Sequence, residues 1–150
     1  MKKEIEYKIL IPISNFIDKD RLVQALHILS KLENPLIVLF HVVEVPSRTV
    51  TVNGYILSQE IQKAKEMLNN VSKWLAEQNY EAVTKVIVAR NAVEGIVEEA
   101  NSGNYSLVIM LKRKVKKGLK GLFHKSISEA IIRSVKCLVI IMLAEKEIKI

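Results

Sequence analysis

Five short aliphatic runs, "YKILIPI", "LIVLFHVV", "AVTKVIVA", "SLVIML" and "CLVIIML", alternate along the chain with segments of helical period, and no other feature restricts the fold so tightly. Each run has the length of a strand and lacks the polar alternation of a strand with one wet face, so each is expected to be buried on both faces. The segments between them are "DRLVQALHILSKL", a longer second one, "AVEGIVEEA" and "SISEAIIRSV". In the second, Leu57, Ile61, Ala64, Leu68, Val71 and Leu75 fall at spacings of four and three, which puts them on one helix face with Lys and Glu opposite. The order β-α-β-α-β-α-β-α-β predicts an α/β fold, a single doubly wound five-stranded parallel sheet with helices on both faces. No linker, repeat or low-complexity tract interrupts the pattern, and residues 1–150 are read as one domain large enough for one sizeable core.

Topology then locates a site. Right-handed crossovers and a first strand in mid-sheet give the strand order 3-2-1-4-5, with the reversal between strands one and four. Ligands of such sheets sit beyond the carboxyl ends of the strands at that point. Two segments meet there, "PISNF" after the first strand and "LKRKVKKG" after the fourth.

The second of these opens a concentration of charge. Between Leu111 and Glu129 the chain carries Lys112, Arg113, Lys114, Lys116, Lys117, Lys120 and Lys125 and no acid before Glu129. Without these seven, the basic residues fall from 23 to the same 16 as the acidic ones, so the whole net charge of +7 belongs to one segment. Such a cluster can hold an anionic ligand, contact nucleic acid or an anionic membrane, or keep a loop solvated. Against nucleic acid, the loop has no aromatic residue but Phe123, and the rest of the chain is charge-balanced.

Composition excludes several classes. A chain that is 49% hydrophobic and 26% charged is that of a folded protein, not a disordered one. No apolar run approaches the roughly 20 residues of a membrane span, and "MKKEIEYKIL" places acids where a signal peptide has its apolar core, so a cytoplasmic protein is expected. The lone Cys137 stands before "LVII" and is read as a packed thiol. His27 falls in the first helix, His41 in the second strand and His124 in the basic loop, with no pair at metal-site spacing; the first two are read as structural, and Trp74 and Phe40 as core. No nucleophile elbow, Cys/His arrangement or paired-carboxylate signature is present, so catalysis is not expected.

The first strand and turn "KILIPISNF", the second strand "LIVLFHVVEVP" and the segment "SISEAIIRSVKCLVIIM" resemble the universal stress protein family, across nearly the whole chain. The resemblance implies an adenine nucleotide alpha hydrolase-like fold, a role in stress response or regulation, and a homodimer through the last strand, Cys137 to Leu143. The edge position and bare aliphatic character of that strand argue for the same pairing without it. Nucleotide-binding members of the family carry an aspartate at the end of strand one and a loop G-x2-G-x9-G-[S/T] after strand four. Carried onto this sequence, the family's nucleotide positions are Pro12, Ile13, Ser14, Val43, Lys112, Val115, Lys125, Ser126, Ile127 and Ser128.

Here the chain departs from the pattern. Anchored on Ser126, the motif puts Lys112, Val115 and Lys125 where the glycines belong; counted from Met110, it puts Leu111 and Lys114 at the first two. The pair Gly118 and Gly121 would demand the third glycine at Ile131, inside a helix, and Ser14 stands in the place of the aspartate. Glycines let backbone N–H groups approach a phosphate closely, and a Cβ obstructs that approach, whereas lysines replace donors but not geometry. "SISE" also reads as a capping box in which Ser126 and Glu129 satisfy the helix start between them, a reading that needs no ligand. The expectation is a dimeric universal stress protein-like regulator, most simply non-catalytic, whose phosphate loop is replaced by a basic one. The alternatives are a divergent ATP-binding member with at most slow hydrolysis, and an interaction module for nucleic acid or membrane.

Overall fold

A computed structural model of the chain describes residues 7–31, 35–45, 54–113, 127–146 and 148–150. Strand β1 (Lys8–Pro12) carries Ile9, Leu10 and Ile11, all fully buried, because it has sheet neighbours on both edges and helices over both faces. After a two-residue strand β2 (Phe16–Ile17) come helix α1 (Lys19–Leu29), strand β3 (Leu36–Glu44), helix α2 (Gly54–Glu77) and strand β4 (Ala82–Ala89). Helix α3 (Ala92–Ser102), strand β5 (Leu107–Lys112), helix α4 (Ile127–Ser134) and strands β6 (Leu138–Leu143) and β7 (Ile148–Lys149) complete the chain.

The main sheet is parallel throughout, in the order β4-β3-β1-β5-β6, which is the expected 3-2-1-4-5 counted over its five strands. Successive side chains of a strand point to opposite faces, and β1 divides accordingly. Ile9 and Ile11 join Leu22 and Leu26 of α1 and Leu68 and Leu75 of α2 on one side, while Leu10 joins Phe40, Ile96, Val108 and Ile131 on the other. The helix stripe read from the sequence is buried from Ala64 to Leu75, and its first members, Leu57 and Ile61, are half-buried. Phe40 is fully buried, whereas Trp74 packs at the edge of the first cluster with the Lys19 ammonium 5.0 Å from its ring. Cys137 is half-buried, and burial pushes its thiol above the ordinary value.

A second, two-stranded sheet was not foreseen. Residues of the tail "AEKEIKI" return across the molecule, and β7 pairs antiparallel with β2, Phe16 opposite Lys149 and Ile17 opposite Ile148. One buried carboxylate organises this return. Asp18, 1% exposed, accepts from the backbone N–H of Arg21 through Oδ1 at 3.1 Å, which caps α1. Through Oδ2 it accepts from the N–H groups of Glu145 at 2.7 Å and Lys146 at 3.0 Å. Arg21 pairs with Glu145 at 2.7 Å, and Lys146 lies 3.8 Å from Asp20, both at the exposed rim.

Burial alone would push the Asp18 carboxyl up, but the N–H groups of Lys146, Arg21 and Glu145 and the Arg21 charge hold it below its ordinary value of 3.8. A carboxyl held below its unfolded value contributes stability that is fully present above that value and is lost as the pH falls through the folded one. Asp18→Asn keeps a carbonyl oxygen to cap α1, yet turns an amide NH2 toward donors of its own kind on the tail. Urea denaturation of this variant should show a loss of about 1–3 kcal/mol at pH 7. The difference from the parent should shrink as the pH is lowered below about 4.

Candidate functional site

The carboxyl ends of β1 and β5 diverge where the crossovers reverse, and a cavity of about 730 Å³ opens between them. Its apolar part is formed by Phe40 and Val42 of β3, Ile96 of α3 and Met110 of β5. These side chains come from the α3 face of the sheet, so the base of the cavity is an extension of the second core cluster. One flank is the exit of β1, from Pro12 to Phe16, and the other is the exit of β5, Leu111 to Arg113, with Ile127 and Ser128 of α4 beside it.

Two polar side chains of β3 also line the cavity, and both are engaged with backbone. His41 Nδ1 lies 2.6 Å from the carbonyl oxygen of Ile13, an acceptor, so that nitrogen carries the proton and donates. This bond fixes the turn after β1 to the neighbouring strand, alongside the bond from Ile13 N–H to the Phe40 carbonyl at 2.8 Å. Glu44 Oε1 accepts from the N–H of Ala92 at 2.8 Å, placing a carboxylate on the positive end of α3, while Asn91 caps the same helix by accepting from the N–H of Glu94 at 2.9 Å. The cationic groups stand on the opposite flank, where Lys112 and Arg113 line the cavity and the Arg113 guanidinium lies 4.8 Å from the Phe16 ring centroid. The cavity is thus apolar at its base, carries its negative charge at α3 and its positive charge at the exit of β5.

Of the residues singled out in the sequence, Pro12, Ile13, Ser14, Lys112, Ile127 and Ser128 are brought together around this cavity. Val43 is not among its lining residues, although His41 on the same strand face is. Val115, Lys125 and Ser126 lie outside the described residues, as do His124, Phe123, Gly118, Gly121 and the five lysines from Lys114 to Lys125. Glu129, the other half of the expected capping box, accepts from Arg133 one turn on at 2.9 Å. His27 is exposed on α1. The segment read as meeting the site, "PISNF", brings Asn15 and Phe16 to the cavity with it, whereas sequence reasoning missed His41 and Glu44 as cavity residues. His41 and Glu44 carried a signal, since they are polar residues at the carboxyl end of an otherwise aliphatic strand. Among the described residues no group of three His, Cys, Asp or Glu side chains could hold a metal ion, and no helix is long and apolar enough to cross a membrane.

A model of the universal stress protein family matches residues 7–142. Solved structures with the same fold include the hypothetical protein MJ0577, 20% identical with a TM-score of 0.72 over 95% of this chain and 99% of that one. UspA from Lactobacillus plantarum is 13% identical with a TM-score of 0.70, covering 91% and 97% of the two chains. The universal stress protein from Archaeoglobus fulgidus in complex with dAMP is 16% identical with a TM-score of 0.65, covering 91% and 98%. At these identities the likeness is one of fold. No curated protein matches the chain.

The approach of α3 that shapes the cavity base depends on Gly95. A Cβ built there would stand 2.7 Å from a methyl of Val42 and 3.1 Å from the tip of Ile87, so helix and strand meet more closely than a side chain allows. Gly95→Val should therefore push α3 off β3 and cost about 1–3 kcal/mol in urea denaturation, despite the better helix propensity of valine over glycine. A variant as stable as the parent would show that α3 is free to move.

Proposed function

Because this chain belongs to the universal stress protein family, we propose that it is a dimeric, non-catalytic regulatory protein of the stress response whose switch-point cavity takes a phosphorylated ligand, an adenine nucleotide foremost. The observation that carries this reading is the cavity itself, apolar at its base and bordered by Lys112 and Arg113. Its volume, about 730 Å³, is in the range of small-molecule sites. Phe40, Val42, Ile96 and Met110 suit a heterocyclic base, and the two cations suit a phosphate through charge-assisted bonds. That a relative from Archaeoglobus fulgidus was solved with dAMP supports the adenine. Ser14 offers a hydroxyl in the place of the aspartate that nucleotide-binding members of the family carry, which adds no negative charge against a phosphate.

The non-catalytic part of the reading rests on what the cavity's titratable groups are doing. His41 Nδ1 donates to a backbone carbonyl and Glu44 accepts from a helix N–H, so both act as braces of the turn and of α3. The dimer rests on β6. This strand lies at the sheet edge and exposes Leu138 by 76%, Ile140 by 38% and Leu143 by 53%, with no charged residue between Cys137 and Leu143. Antiparallel pairing with a second copy would satisfy its open backbone groups and cover these side chains.

Calorimetry with AMP and ATP tests the ligand. Binding in the micromolar range or weaker is expected, because side-chain cations replace a glycine cradle, and it should weaken steeply with salt, since exposed charges are screened over about 8 Å at physiological ionic strength. Lys112→Gln with Arg113→Gln should weaken it by about tenfold or more. Nanomolar, salt-independent ATP binding would overturn the side-chain reading of the loop. For the dimer, Leu138→Lys puts a charge on the exposed face of β6 without touching the face packed on α4. Light scattering should show a dimer for the parent and a monomer for this variant, and a monomeric parent at micromolar concentration would remove the assembly from the proposal.

A further inference from the structure

The last residues of the chain join the two flanks of the cavity, and we propose that this tail is the positioning element that holds Arg113 at the cavity mouth, so that anion affinity depends on tail docking. The proposal rests on the reading of the cavity as an anion site, and it concerns how that site is held in shape. The tail leaves the β5 flank, where Ala144, 1% exposed, donates its N–H to the carbonyl of Lys112 at 2.9 Å. It is caught by Asp18 through the N–H groups of Glu145 and Lys146. It ends on the β1 flank, where β7 pairs with β2 and the N–H of Ile150 donates to the carbonyl of Asn15 at 3.1 Å.

The flank it reaches is fixed at Ile13, by the bonds to His41 and Phe40, and at Ile17, by burial, and is less firmly held between them. Ile13 and Ile17 are anchored in the core, but Ser14 and Asn15 between them are exposed and Phe16 is only half-buried. Two residues of strand have no stability alone, so the path of Phe16 is set by its pairing with the tail. Phe16 in turn carries the Arg113 guanidinium on its ring, and both residues line the cavity. The line of contact therefore runs from the tail to Phe16, and from Phe16 to Arg113. Phe16 and Asp18 are positioning residues in this account, and Arg113 is the group that meets the anion. By linkage, a bound anion that pulls on Arg113 must tighten the tail by the same factor, and a partner that captures β7 must loosen the anion.

The test uses the full chain labelled with nitrogen-15. Arg113 is identified by the loss of one side-chain resonance in Arg113→Lys, and its Nε–Hε signal should lie upfield of the other arginines through the Phe16 ring current. Asp18→Asn and Ile148→Pro release the tail at two different bonds, and Arg133→Gln, on the exposed face of α4, serves as the control. In both tail variants, but not the control, the Arg113 signal should move downfield as its contact with the Phe16 ring is lost. ATP affinity should fall by about two- to five-fold, the strength of one exposed cation–ring contact. The same loss in Arg113→Gln, not added to by Asp18→Asn, would place both on one path. Should Ile148→Pro fail to fold, Asp18→Asn decides, because it retains the α1 cap. An unmoved Arg113 signal in a variant whose Ile150 amide, bonded to the Asn15 carbonyl in the parent, exchanges freely would overturn the proposal. If ATP does not bind the parent, the reading of the cavity fails, and the Arg113 signal still decides for or against the tail.

Discussion

Strand β1 is the constraint on which the rest depends. With Ile9, Leu10 and Ile11 excluded from water on both faces, it can lie only in the middle of a sheet that has a helical layer on each side. Parallel neighbours then require crossovers, and right-handed crossovers to β3 on one edge and β5 on the other send the chain to opposite faces. The gap between the exits of β1 and β5 follows from that divergence, not from any residue placed there to make a pocket. What the local sequence decides is the lining: Phe40, Val42 and Met110 continue the core upward, and Ser14, Lys112 and Arg113 replace it at the rim.

The charges at the rim are arranged so that each end of the cavity has one sign. A helix start at its edge would ordinarily attract an anion, but at α3 the carboxylate of Glu44 already occupies the N–H of Ala92. Positive charge is instead concentrated at the exit of β5, where Lys112 and Arg113 are the first two of the seven basic residues that hold the chain's entire net charge. Among the described residues, an anion in the proposed site would meet opposite charge at Lys112 and Arg113 and like charge at Glu44 beside α3.

The main sheet was legible because its signal is redundant: five aliphatic runs, four amphipathic segments and one handedness rule all demand the same order. Even the location of the cavity came from topology before any residue was weighed. The tail was not legible, for a physical reason. Two-residue strands have no period, and Glu145 and Lys146 read as solvated charge, whereas their backbone N–H groups are what Asp18 engages, and the Ile150 N–H is what bonds the residue before β2. Asp18 itself was hidden among the ordinary acids, since nothing in "FIDKD" tells a carboxylate at a helix start that it will also serve a segment more than 120 positions away. His41 and Glu44 were missed because a strand written as "LIVLFHVVE" invites a reading of its core and not of its end. Val43 was carried over from the family resemblance alone, and of β3 the cavity is lined by Phe40, His41, Val42 and Glu44.

The two edges of the sheet differ in a way that bears on assembly. β4 also exposes aliphatic residues, Val83 by 50% and Val88 by 45%, so exposure alone would not distinguish it from β6. Yet β4 has helices on both of its faces, α2 and α3, and carries Lys85, whose ammonium bonds both oxygens of Glu99 at 3.0 and 2.8 Å. A second chain adding to β4 would have to fit beside that ion pair and the flanking helices, and a cation on an outer strand is the common device against such pairing. On β6, among the described residues, nothing comparable stands in the way. Its inner face, Val139 and Ile141, packs toward α4, while Leu138 and Ile140 face out. Among the described residues the tail does not cover it either, since β7 pairs with β2. The bond network of Asp18 therefore has two effects with one cause, since drawing the tail toward the cavity also leaves the aliphatic edge of β6 uncovered by it.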